Sequence, residues 1–227
     1  MIDYFPTVQS EVVKILFIGK KGDSFAEQAA QYTLQLFPNT LIEWGQRGVP
    51  LPASVSSWRG DYVFSYLSPW IIPERTLNAA SRGGINWHPG PPDYPGIGCT
   101  NFAIYNGASM FGMTCHYMKP VVDSGDIIEV ARFNVLDSDT VLSITQKCYI
   151  HISASYYGIL EKIYLGESLP ISNESWSKKP YTRKELNALC VVDPAMDAEE
   201  IQRRVKATQY VEHWAYVELG GIRFYPR

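Results

Sequence analysis

The sequence predicts an α/β fold, an open and mainly parallel sheet with helices on both faces, followed by a small C-terminal unit. Short apolar runs alternate with helical patterns from residue 14 to residue 166, which is typical of parallel α/β sheets. The length of 227 residues and a hydrophobic fraction of 46% are sufficient to bury a sizeable core. The alternation stops after Gly166, so we divide the chain into residues 1–166 and 167–227.

The predicted elements of the first unit are in Rossmann-like order. The strands are predicted at residues 14–19, 41–44, 61–66, 85–87, 112–118 and 126–133, where apolar residues are concentrated. Asp23 is positioned to cap the helix after the first strand, and residues 100–105 form a short helix. The longest helix begins at residues 137–140 and carries apolar residues at every third or fourth position up to Gly166.

The C-terminal unit is predicted to contain a helix over residues 201–207 and a β-hairpin. The hairpin strands are residues 211–219 and 222–225, on either side of Gly220-Gly221. A lone hairpin is marginally stable in water, so it must pack against the first unit or against a second copy of the chain. Its aromatic residues favour a second copy, and we expect a homodimer built through the hairpin.

Composition excludes several classes of protein. A net charge of −3 is too small to predict nucleic acid or an acidic membrane as partner, and no segment approaches the roughly 18 apolar residues of a membrane span. Without a secretion signal, Cys99, Cys115, Cys148 and Cys190 are expected to be reduced thiols of a cytoplasmic protein. We expect no metal site, because the adjacent residues Cys115 and His116 face opposite sides of a strand.

The stretch GGINWHPGPPDYPGIG, residues 83–98, contains the strongest candidate site. Asn86 and His88 stand two apart on an extended segment, so their side chains point to the same side. Pro89 keeps His88 extended at the end of the strand. The proline–glycine loop, residues 88–98, contains four prolines and three glycines, which suits a surface of fixed shape. His88 considered alone is equally compatible with a structural role and a catalytic one.

Asp123 is the second part of the candidate site. Ligands of open α/β sheets bind beyond the carboxyl ends of the strands, and this rule places the proline–glycine loop, residues 67–73 and residues 121–125 at one edge. Asp123 can there orient His88 or raise its basicity, while Asn86 can donate to an oxygen that gains negative charge. Without an obvious serine or cysteine nucleophile, this set favours acyl transfer in which the nucleophile arrives with the substrate.

The segments INWHPGPPDYPGIGCTNFAIYNG and FGMTCHYMKPVVDSGDII resemble the N10-formyltetrahydrofolate-dependent formyltransferases, over roughly residues 60–165. That family's signature is Asn-x-His, a Pro/Gly loop and an Asp just before a glycine-containing turn, and Asn86, His88 and Asp123 match its catalytic positions. The Pro-Gly-Pro-Pro form of the loop is most similar to the branch that formylates nucleotide-linked amino sugars. These sugars are typically dTDP-linked 3- or 4-amino-dideoxyhexoses of cell-surface polysaccharide (lipopolysaccharide O-antigen) synthesis.

The resemblance also implies roles for individual residues. The amine of the sugar would attack the formyl carbon of N10-formyltetrahydrofolate, with His88 as general base or oxyanion stabiliser, Asn86 as oxyanion donor and Asp123 positioning His88. The folate would contact Leu67, Pro69, Ile71, Ile72, Val121 and Val122, and the amino sugar would approach over Tyr94, Pro95 and Gly96. Tyr181 and Arg183 could hold the nucleotide, although a solvated helix start fits them equally well.

Three other functions fit the sequence less well. An enzyme that formylates methionyl-tRNA would be expected to carry a basic C-terminal domain, whereas residues 167–227 contain nine basic and nine acidic residues. An enzyme for glycinamide ribotide would need a phosphate-binding glycine loop near the N-terminus, where this chain has only GKKG at residues 19–22. A non-catalytic sensor of folate or of a nucleotide sugar would not need all three candidate catalytic residues.

Overall fold

A six-stranded sheet organises the first unit of the computed structural model, which describes residues 12–210 and 214–226. The strands are β1 (Ile15–Lys20), β2 (Thr40–Gly45), β3 (Tyr62–Tyr66), β4 (Gly84–His88), β5 (Met110–Tyr117) and β6 (Ile127–Asn134). Their order in the sheet is β2-β1-β3-β4-β5-β6. The first four strands are parallel, and β5 and β6 each run antiparallel to the preceding strand. The predicted open, mainly parallel α/β sheet is confirmed.

Helices cover the two faces of the sheet unequally. The helices are α1 (Ser24–Leu36), α2 (Ala53–Ser57), α3 (Glu74–Leu77), α4 (Cys99–Tyr105) and α5 (Val141–Leu165). Phe17, Phe64 and Trp87 point into the larger core with α1, α4 and α5. Leu16 and Val63 alternate with them and point into a smaller core with α2 and α3. The short helices α2 and α3 were not predicted, because one turn is too short to show a helical period.

The ends of the long helices follow local sequence signals. The side chain of Asp23 accepts hydrogen bonds from two amides of the first turn of α1, as predicted. Thr140 and Ser143 form a capping box at the start of α5. Gly166 ends α5 with φ +72°, a conformation that favours glycine.

No helix in residues 12–210 and 214–226 combines the length and the apolar character needed to cross a membrane.

The C-terminal unit returns to the sheet before it forms its own elements. Residues 172–181, which we call the strap, run back along the first unit: Ser172 N–H donates to the Ile127 carbonyl, and Tyr181 N–H to the Pro95 carbonyl. The elements that follow are α6 (Arg183–Leu189), α7 (Ala198–Thr208), β7 (Val217–Leu219) and β8 (Ile222–Phe224). The predicted hairpin is confirmed as the β7–β8 pair. Its first strand is shorter than predicted: residues 214–216 precede β7, and residues 211–213 lie outside the described residues.

Candidate active site

Two strands bring polar side chains together on the face of the sheet opposite the larger core. Ile85 and Trp87 point into that core, so Asn86 and His88 point to the other face, as their spacing predicts. The antiparallel strand β5 places His116 directly opposite Asn86. The amide nitrogen Nδ2 of Asn86 lies 3.1 Å from Nε2 of His116.

Asp123 contacts both histidines. Its Oδ2 lies 3.2 Å from His88 Nδ1, and its Oδ1 lies 3.3 Å from His116 Nε2. The Gly96 N–H donates to Oδ2 at 2.7 Å. Asp123 and the two histidines are 6% exposed or less. The structure therefore joins Asn86, His88, His116 and Asp123 into one group, which we call the polar cluster.

The loop that carries Asp123 reaches His88 by an unexpected route. Because β5 is antiparallel, the loop leaves it beside the start of β4, where Met118 N–H donates to the Gly84 carbonyl at 2.7 Å. It then returns over the face of the sheet, with Asp123 at φ +45°, a conformation that aspartate tolerates better than most residues. The predicted contact with His88 is present, but it does not arise from parallel strands that end at one edge.

Each ring nitrogen of His88 and His116 faces a polar partner, and these partners fix the orientation of the two rings. His116 Nδ1 lies 2.9 Å from the Tyr117 carbonyl and donates to it. His116 Nε2 faces both Asn86 and Asp123: it accepts from the Asn86 amide when the ring is neutral and donates to the Asp123 carboxylate when the ring is protonated. His88 turns Nδ1 toward Asp123, and its Nε2 lies 2.9 Å from the Tyr94 carbonyl. The amide of Asn86 is thereby fixed with its nitrogen toward His116, which leaves its second N–H for another acceptor.

The carboxylate of Asp123 is charged at neutral pH. Burial alone would raise its pKa, but His88, the hydrogen bond with His116 and the Gly96 N–H outweigh burial and lower the pKa to about 2. The nearby thiol of Cys99 donates to the Pro89 carbonyl. Burial raises the pKa of Cys99 to about 12, so this thiol is not a nucleophile at neutral pH.

The residues predicted to contact folate differ in accessibility. Ile71, Val121 and Val122 are 72%, 63% and 43% exposed, and Pro69 is also exposed. Leu67 is partly buried against the larger core, and Ile72 packs in the smaller core. The exposed side chains of this set are apolar and are therefore available to a flat, partly apolar ligand.

The residues predicted to contact the sugar and the nucleotide are mostly packed within the protein. Tyr94 and Pro95 are buried, and Gly96 is partly buried. The ring of Tyr181 stacks on Phe102 with centroids 3.9 Å apart and planes at 9°, so one face of the ring is covered. Arg183 is the first residue of α6. A ligand along this loop would therefore meet backbone groups more than these rings.

His116 is the member of the polar cluster that sequence reasoning missed, since it was considered only as a metal ligand. The signal that could have found it is an antiparallel pairing of β5 with β4, which puts His116 opposite Asn86. Within the part of the chain that the structure describes, no group of three or more His, Cys, Asp or Glu side chains is arranged to hold a metal.

A cavity of about 250 Å³ lies away from the polar cluster. Its lining includes Val13, Asp61 and Arg82, which precede β1, β3 and β4, so it opens at the amino ends of the parallel strands. Asp61 already accepts from Ser81 and from the Lys14 amide. The polar cluster, with its charged carboxylate and oriented rings, is the better candidate for chemistry.

The region that contains the polar cluster is similar to known formyltransferases. Residues 53–154 match the family described as formyl transferase, and this range includes all four residues of the polar cluster. This match covers a little under half of the chain. Among curated proteins, the GDP-perosamine N-formyltransferase of Brucella melitensis is 27% identical over 148 residues, which are 65% of this chain and 56% of the relative. This chain thus spans little more than half the length of that relative.

Solved structures extend the likeness to nearly the whole chain. A 4-N formyltransferase from Francisella tularensis superposes with a TM-score of 0.76 at 15% identity and covers 95% of this chain and 97% of its own. The N-formyltransferase from Helicobacter canadensis, solved with folinic acid and dTDP-3-aminofucose, superposes with a TM-score of 0.72 at 16% identity, over 93% and 86% of the two chains. At these identities the likeness establishes the fold.

Proposed function

We propose that this protein transfers a formyl group from N10-formyltetrahydrofolate to the amine of a nucleotide-linked amino sugar. The observation that carries the proposal is the polar cluster, in which an amide, an imidazole and a buried charged carboxylate are held together inside the formyl transferase match. The relatives support the acceptor class: one is named for GDP-perosamine, and another was solved with folinic acid and dTDP-3-aminofucose.

The polar cluster supplies each function that formyl transfer requires. The neutral amine of the sugar attacks the formyl carbon, and the formyl oxygen gains negative charge. The free N–H of Asn86, oriented by His116, donates to that oxygen. His88 Nε2 accepts the proton of the amine, in place of its contact with the Tyr94 carbonyl, and returns it to N10 as tetrahydrofolate leaves. Asp123 holds the opposite nitrogen of His88.

The folate is proposed to lie against the loops around Ile71 and Val121–Val122. These side chains are apolar and exposed, and Val122 directly precedes Asp123, so a ligand lying against them is beside the polar cluster. Leu67, Pro69 and Ile72 would contribute backbone groups. The sugar is proposed to approach over Tyr94, Pro95 and Gly96, with Tyr181 and Arg183 at the nucleotide.

We propose a dTDP-linked 3- or 4-amino-dideoxyhexose as the preferred acceptor, used in cell-surface polysaccharide synthesis. The form of the proline–glycine loop and the ligand of the Helicobacter protein support dTDP, while the GDP sugar of the Brucella relative makes GDP the alternative to test. We place the reaction in the cytoplasm, where the four free thiols would stay reduced.

The experiment incubates the purified protein with 10-formyltetrahydrofolate and a panel of dTDP-, GDP- and UDP-linked amino sugars, and detects the formamide by mass spectrometry. Formylation of one sugar, lost in an Asn86→Ala variant that folds normally, supports the proposal. Sugar or folate binding without transfer would identify a sensor. Transfer only to methionyl-tRNA or glycinamide ribotide, included as control acceptors, would assign a different substrate.

We also propose that the protein is a homodimer joined through the β7–β8 hairpin. Val217 pairs with Phe224 and Leu219 with Ile222, so these four side chains share one face. Leu219, Ile222 and Phe224 are 57%, 62% and 53% exposed. An exposed apolar hairpin is marginal in water, and a second copy would bury this face. Sedimentation as a monomer at micromolar concentration would contradict the proposal.

A further inference from the structure

The strap brings a tryptophan onto the polar cluster. The Trp176 ring meets the His116 ring edge to face, with centroids 5.0 Å apart and planes at 88°, and meets the His88 ring at 5.8 Å and 70°. Its indole Nε1–H donates to the Gly125 carbonyl at 2.8 Å, two residues after Asp123. One side chain therefore touches both imidazoles and the loop that carries the carboxylate.

The strap is fixed on both sides of Trp176. Before it, the carboxylate of Glu174 accepts two hydrogen bonds from the guanidinium of Arg132 on β6, at 2.7 and 2.6 Å. After it, Ser177 N–H donates to the proline–glycine loop at 3.2 Å, and Tyr181 both donates to and accepts from that loop, at 2.9 and 3.0 Å. Trp176 is thus held against the cluster by its neighbours in sequence.

The strap is also linked to the carboxylate through Gly96. A Cβ at Gly96 would lie 2.4 Å from the Tyr181 carbonyl oxygen and 2.6 Å from the Tyr181 nitrogen, so the two backbones approach as closely as they do because this residue is glycine. The same Gly96 donates its N–H to Asp123. Strap, loop, carboxylate and His88 form one continuous set of contacts.

We propose that Trp176 is a positioning residue for the polar cluster. It fills one side of the cluster, so that the rings of His88 and His116 keep one orientation and water is kept from that side of Asp123, where a lower dielectric strengthens the ionic contact. Its effect on turnover rests on the formyl transfer proposed above. Its effect on the histidine rings does not, so the two can be tested separately.

The first test is spectroscopic and uses the whole chain. The variants are Trp176→Leu, Trp176→Phe as the conservative change, and Trp58→Leu as the matched control, since Trp58 packs on the smaller core. With only four histidines in the chain, NMR of histidine-labelled protein resolves each ring, and substitution assigns it. Trp176→Leu should shift the ring signals of His88 and His116 by removing the indole ring current and leave His151 unchanged. Unchanged His88 and His116 signals would overturn the proposal.

The second test is kinetic. Trp176→Leu should lower kcat by about tenfold to hundredfold, the loss expected for a misplacement of up to 1 Å, while KM for folate and sugar changes little. Trp176→Phe should recover most of the loss because it keeps an aromatic edge against both rings, and Trp58→Leu should turn over normally. An unchanged kcat would overturn the proposal. A raised KM with an unchanged kcat would also overturn it, because Trp176 would then act in substrate binding. If no acceptor is formylated at all, the proposed function fails and the NMR result alone decides this inference.

Discussion

The proline–glycine loop and the β7–β8 hairpin both depend on glycine, yet they are stabilised in opposite ways. The loop buries Tyr94 and Pro95, and its backbone binds His88, Asp123 and the strap. The hairpin is tied to the chain at its base, where Tyr216 exchanges hydrogen bonds with Cys190 and Val192, but its apolar face is exposed. The comparison indicates that order at the candidate active site comes from within one chain, whereas the exposed face of the hairpin would be covered only in the proposed dimer.

The largest expected effect is on catalysis, from His88→Ala. Loss of the proposed general base should lower kcat by about 10²- to 10⁴-fold while sedimentation and the far-ultraviolet circular dichroism spectrum stay as in the wild type. His151→Ala is the matched control, because His151 lies on α5 and stacks on Phe133. Turnover of the His88 variant close to that of the control would remove His88 from the mechanism.

Gly96→Ala should break the junction between the loop and the strap. The new Cβ would clash with the Tyr181 backbone, and φ at Gly96 is +88°, so we expect a loss of about 1–3 kcal/mol in the free energy of unfolding together with lower kcat. Gly48→Ala separates the two causes, since Gly48 has φ +77° but no atom near its Cβ position. Equal losses in urea unfolding for the two variants would show that the close approach contributes nothing.

Local patterns in the sequence were enough to predict β4 and the shared face of Asn86 and His88. Strand alternation and the flanking Pro89 are properties of adjacent residues, and the structure keeps both. The Asp23 cap of α1 and the end of α5 at Gly166 were predicted for the same reason, because both depend on residues a few positions apart.

Contacts between distant segments could not be predicted in this way. His116 enters the polar cluster only because β5 runs antiparallel to β4 and pairs His116 with Asn86. A prediction of a mainly parallel sheet gives no reason to expect that pair. Trp176 reaches the cluster from a segment without a periodic pattern. Asp123 was placed near His88 by the rule for the carboxyl ends of parallel strands and then matched the family resemblance, but the loop that brings it to His88 follows a route which that rule did not describe.

Acid should lower the free energy of unfolding through the polar cluster, and not through the hairpin. The folded-state pKa of Asp123, about 2, lies below its ordinary value of 3.8, so its charge adds about 2 kcal/mol to the free energy of unfolding above pH ~4, a contribution lost as pH falls through about 2. The difference in the free energy of unfolding by urea between wild type and Asp123→Asn should therefore become smaller as the pH falls from ~4 to about 2. The difference for Glu218→Gln, which removes an exposed contact with Arg223, should stay small throughout. If the difference in free energy of unfolding for Asp123→Asn does not change with pH, the charge of Asp123 does not stabilise the polar cluster.

The smallest effect on catalysis is expected from Ile222→Glu. A charge on the apolar face of the hairpin should convert the proposed dimer to a monomer in sedimentation velocity, because the carboxylate would lose its hydration on burial. The kcat per chain should not change, since every member of the polar cluster comes from one chain. Arg223→Gln, on the other face of the hairpin, should remain dimeric. If Ile222→Glu is still a dimer, this face is not the interface. If it is a monomer with a lowered kcat, the candidate active site depends on the dimer as well as on contacts within one chain.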